Sequence, residues 1–85
     1  MKTEFTPGPW LKTYTGDGKT CLINRGRIGT VDLDDISEDE GEANVNLILA
    51  APEMFEALEL IVANVPPEKT IHHVALNALN RALGL

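Results

Sequence analysis

At 85 residues the chain has room for one domain and one modest core, in a size range where folding alone is marginal and self-association helps. Hydrophobic residues at 44% and charged residues at 24% suit a globular chain and exclude wholesale disorder, and no apolar run reaches the roughly 20 residues of a membrane helix. The formal net charge is −6, and seven carboxylates between Asp32 and Glu42 with no base among them make a surface that repels phosphate, which argues against direct nucleic-acid binding.

The N-terminal MKTEFTPGPW has no signal-peptide hydrophobic stretch, so a cytoplasmic protein is expected. Residues 1–9 read as an extended arm that turns at Pro7-Gly8-Pro9. Trp10 follows that rigid turn, either as a core anchor whose indole N–H finds a carbonyl or as an exposed stacking platform. Alternation from Trp10 to Thr15 predicts a first strand, Gly16-Asp17-Gly18-Lys19 a hairpin turn, and Thr20 to Asn24 a second strand. A second tight turn at Asn24-Arg25-Gly26-Arg27 leads to a third strand over Ile28 to Leu33. Asp34 to Glu42, acidic with a glycine near its end, reads as a mobile loop.

From Val45 the apolar positions Val45, Ile48, Leu49, Phe55, Leu58, Ile61, Val62 and Val65 follow helical spacing, with Glu53, Glu56 and Glu59 off that face. Pro52 cannot donate to the carbonyl four residues back but suits a first turn, so a short helix, a kink and a longer helix are expected over residues 43–65. Pro66-Pro67 separates these from a last helix running to about Leu83, with an apolar stripe Ile71, Val74, Ala75, Ala78, Leu79, Ala82 and a cap at Gly84. The predicted fold is a single α+β domain: a three-stranded antiparallel sheet packed against two C-terminal helices, the first kinked at Pro52. Its core is drawn from Trp10, Ile23, Ile28, Val31, Phe55, Leu58, Ile61, Val62, Val74 and Leu79.

Few residues carry recognisable chemistry. Adjacent His72 and His73 point about 100° apart on a helix and lack a third ligand at metal spacing, so they read as surface or interface histidines, and no metal or cofactor is expected. The acidic run lacks the alternate ligand positions of a calcium loop. Cys21, the single cysteine, reads as a packed thiol. No nucleophile stands with a base at recognisable spacing and no phosphate-binding glycine loop is present, so an enzyme is not expected.

Thr6 to Trp10, TPGPW, and Asn44 to Glu59, NVNLILAAPEMFEALE, resemble the two ends of a class of small bacteriophage accessory proteins. That class opens on PGPW and closes on a helix reading roughly NARLIAAAPELLEALE; here Val45 and Leu49 stand where alanine is usual, and Asn46 where arginine is. The class is similar in sequence to itself rather than to anything of known chemistry. The resemblance implies a phage origin and, because many phage accessory genes act against host defence, a non-enzymatic inhibitor in the host cytoplasm that binds or sequesters a defence protein or a nucleotide signal. Alternatives are a structural or regulatory oligomerisation module without a small ligand, and an acidic DNA mimic that fills a target's basic groove.

Lys12, Lys19, Arg25 and Arg27 form the basic set a phosphate-bearing ligand would need, with Trp10 or Tyr14 available to stack on a base; their plain role is to keep sheet edges soluble. Leu60, Leu76 and Leu83 lie off the main stripes and are the expected interface of a homo-oligomer, most simply a dimer.

Overall fold

A computed structural model describes residues 4–85. The first three positions of the expected arm, with Lys2 among them, lie outside the described residues. The element order is β1 (Lys12–Tyr14), β2 (Thr20–Ile23), a 3-10 turn (Asn24–Gly26), β3 (Gly29–Asp32), α1 (Glu38–Leu49), α2 (Ala51–Asn64) and α3 (Thr70–Ala82), an α+β fold. Contacts divide the chain into two compact units, Thr6–Pro52 and Glu53–Leu85, the latter joined by Glu4 and Phe5.

The first unit is the sheet with α1. Its strands run in the order β1-β2-β3, all antiparallel, with Lys12 opposite Ile23, Tyr14 opposite Cys21, and Cys21 opposite Val31. Cys21, Ile23 and Val31 therefore share one face, and Cys21 and Ile23 are buried there with Val45 of α1, flanked by Trp10, Ile28, Leu33, Ile48 and Leu49. The indole Nε1–H of Trp10 donates to the Thr6 carbonyl at 2.9 Å, the core-anchor geometry. Gly8 lies so close to the buried ring of Pro52 that a Cβ there would stand 2.9 Å from the proline Cβ.

Two turns shape the sheet. In the first, the Thr15 hydroxyl donates to Asp17 Oδ1 at 2.6 Å while the Lys19 N–H donates to the same oxygen at 3.0 Å. In the second, Asn24, Arg25 and Gly26 have φ of 50°, 59° and 90°, the left-handed backbone that glycine and asparagine accept and arginine does not favour. Asn24 fixes this turn to the chain before β1: its N–H donates to the Leu11 carbonyl and its Oδ1 accepts from the Leu11 N–H, both at 2.8 Å.

The expected acidic loop over 34–42 is corrected. Only Asp34 to Ser37 is loop, since Ser37 caps α1 by accepting the Glu40 N–H at 3.1 Å and the helix starts at Glu38, five residues before the expected Ala43. Ser37-Glu38-Asp39-Glu40 is an S-x-x-E sequence, and Glu38, Asp39 and Glu40 in the first turn face the positive helix end. The acids are a start signal for a helix. The break between α1 and α2 falls at Ala50, with Pro52 inside the first turn of α2, where its missing N–H has no partner to lose.

The second unit holds most of α2, and α3. Phe5 meets Phe55 edge to face, ring centroids 4.9 Å apart. Pro67 and Glu68 precede the last helix rather than opening it, because its first residue is Thr70. Its end matches the expected cap: Gly84 has φ 79°, its N–H donates to the Arg81 carbonyl, and Leu85 N–H donates to that of Asn80 at 2.7 Å.

The buried face of α3 is rotated from the expected stripe. His72, Ala75 and Leu79 are buried, whereas Val74, expected in the core, is 61% exposed and Ile71 is 55% exposed. His72 displaces them because its ring finds a partner, Nδ1 lying 2.9 Å from the Val65 carbonyl just beyond α2. A carbonyl only accepts, so Nδ1 carries the proton.

Val74→Ala separates the observed face of α3 from the expected one, with Leu79→Ala, buried in both, as the reference. Leu79→Ala should cost about 2–5 kcal/mol in urea unfolding, and Val74→Ala within about 0.5 kcal/mol of zero. Gly8→Ala should cost about 1–3 kcal/mol, because the proline ring it meets cannot turn aside.

Candidate functional site

The sheet unit does not gather its basic side chains into one site. Arg25 and Arg27 are exposed at the β2–β3 turn, and Lys12 lies opposite Ile23 near that end. Lys19 is exposed at the other end, beyond the four residues of β2, roughly 13 Å of extended chain at 3.3 Å per residue. Lys12 Nζ lies 5.7 Å from the Tyr14 ring centroid, so the cation already occupies that aromatic face. Trp10 is half-buried with its N–H engaged, so of the two proposed stacking rings only Tyr14, 45% exposed, presents much surface.

A cleft of about 490 Å³ does open on this unit, between Tyr14, Leu33, Ile36 and the first turns of α1. The charged side chains lining it are Glu38 and Glu42, a potential that disfavours a phosphate-bearing ligand. Gly41, buried in α1, forms part of its wall, and a Cβ there would lie 2.9 Å from Leu33 Cδ2.

In the helical unit a groove of about 570 Å³ runs along α2, lined by Leu60, Val62 and Ala63, by Leu79 of α3, and by Glu56 and Glu59. Of the expected interface leucines, Leu60 is 64% exposed in this groove, while Leu76 and Leu83 are half-buried. The outward apolar side chains that the sequence missed are Met54, Ile71 and Val74. Ile71 falls in the expected apolar stripe and Val74 in both that stripe and the expected core, because helical spacing fixes a stripe but not the direction it faces.

The remaining candidates are structural. His72 is buried on Val65, its ring set edge to face with that of exposed His73 at 5.7 Å, so it is not a surface residue. Cys21 is a buried free thiol. Among the described residues, no three His, Cys, Asp or Glu side chains are grouped to hold a metal ion, and no helix is long and apolar enough to cross a membrane.

A model built on Salmonella phage P22 protein Y8K6 matches residues 1–85. The chain belongs to this phage protein family. No curated protein and no solved structure matches it. Membership of a phage protein family agrees with the expectation of a small phage protein, and in this chain the TPGPW and Asn44 to Glu59 segments meet where Gly8 packs on Pro52.

The β1–β2 turn supplies a local electrostatic test. The Thr15 hydroxyl, and after it the Lys19 N–H, hold the Asp17 carboxyl below its ordinary value of 3.8. A depressed folded-state value means the turn's contribution is complete above the unfolded value and is lost as pH falls through the lower folded one. Carbon-detected NMR titration should place the Asp17 midpoint below 3.8, and Thr15→Val should raise it toward that value.

Proposed function

We propose that this phage protein is a non-enzymatic accessory factor that counters a host defence system in the host cytoplasm by binding and inhibiting one of its protein components. The observation that carries a protein target is the groove on α2, where an exposed leucine sits among apolar side chains on a small chain. Protein partners use such surfaces, an aromatic or aliphatic anchor ringed by polar groups.

Sequestration of a nucleotide signal has less support. The four basic residues are distributed over both ends of the sheet, and the charged side chains lining the cleft on this unit are carboxylates. DNA mimicry by residues 34–42 is likewise weakened, since Glu38, Asp39 and Glu40 sit where a helix start alone favours acids. Self-association remains the alternative use of the same apolar surface.

Expression in a host carrying one defence system at a time should restore plating of a sensitive phage for at least one system, with no effect in the defence-free host. Calorimetry against cyclic nucleotides and related signals should show no heat. Heat that disappears in the Arg25→Ala, Arg27→Ala double variant would instead establish the nucleotide reading.

A further inference from the structure

We propose that the α2 groove receives a basic amphipathic helix of the target, an assignment that rests on the protein-target reading above. Glu56, Glu59, Leu60 and Ala63 line it at i, i+3, i+4 and i+7, about 10 Å of helix axis at 1.5 Å per residue. That is the spacing by which one helix lays its anchors along another. Within a helix the backbone N–H and C=O groups are spent on the helix itself, so this face cannot template an added strand and recognition falls to side chains. Leu60, 64% exposed, can pack against an incoming apolar anchor, and Val62 with buried Leu79 supplies the floor.

Charge selects the occupant. Helix α2 contains Glu53, Glu56 and Glu59 and no basic residue. A second copy meeting this face with its own would set these carboxylates against themselves, and nucleic acids and anionic membrane surfaces are repelled in the same way. A partner helix with Lys or Arg flanking its apolar stripe pairs with Glu56 and Glu59 while its apolar residues cover Leu60 and Ala63. The acids thus act as a filter on which amphipathic helices dock.

The test uses the full chain, isotope-labelled, titrated with a synthetic helical peptide carrying leucines at i and i+4 flanked by lysines. Controls are the same peptide with glutamate for each lysine and a scrambled lysine peptide. The expected result is shift changes centred on residues 56–63, binding that weakens as salt rises, and no binding of either control. Glu56→Gln with Glu59→Gln should weaken the lysine peptide about tenfold, from two partly screened pairs, and Leu60→Asp should abolish binding with the circular-dichroism spectrum unchanged. The proposal is overturned by no binding, equal binding of the scrambled peptide, shifts centred elsewhere, or an unchanged affinity in the glutamine variant. It is also overturned if sedimentation shows a dimer that Leu60→Asp dissociates, which would give the groove to a second copy. Plating assays do not enter this test, so its failure leaves the anti-defence reading standing, and failure of the plating assay leaves the groove assignment standing.

Discussion

The sheet unit depends on one seam, where Val45 of α1 is buried on Cys21 and Ile23 of the central strand. Three short strands cannot close a core by themselves, and a two-sided wet sheet of this size would be marginal. One helix laid across the Cys21, Ile23, Val31 face removes that problem and makes the alternation of β2 meaningful. The thiol at Cys21 follows from the same packing: a small, soft side chain fits where the helix approaches the middle of the sheet.

The seam is closed by the N-terminal arm. Trp10 packs beside it with its N–H on Thr6, and Gly8 rests on Pro52 at the junction of α1 and α2. The glycine of PGPW and the proline of the helix segment are thus two halves of one contact between segments distant in sequence. A side chain at residue 8 or a different ring at residue 52 alters the same surface.

Charge and apolar surface are divided between the elements. The acids of residues 34–42 lie against a helix start, where they stabilise α1, while the basic residues sit at turns and on an edge strand. The basic residues are not gathered at one place, and Glu38 and Glu42 line the cleft beside α1. The helices, in contrast, present Leu60, Ile71 and Val74 outward, and α2 surrounds its leucine with glutamates. A protein-binding reading follows from where desolvation would yield most, since apolar area removed from water is worth roughly 25 cal/mol per Å² whereas exposed ion pairs contribute little.

Local chemistry alone determined much of this protein: the hairpin at Asp17, the turn at Gly26, the break near Pro52, the Gly84 cap and the α+β order all depend on neighbours in the chain. That the chain is a small phage protein was legible in short contiguous stretches of sequence, and the whole-chain family match agrees with it. Ser37 and Glu40 carried a helix start that the density of acids around them obscured. Which residues of α3 face inward was decided only in the tertiary structure. Spacing ranks Ile71 and Val74 above a histidine, because hydropathy counts the imidazole as polar; the Val65 carbonyl satisfies that ring, removes its desolvation penalty and turns the helix so that His72 and Leu79 are buried. The separation of Lys19 from Arg25 and Arg27 was hidden for a related reason, since closeness in sequence becomes opposite ends of a sheet once β2 is extended between them.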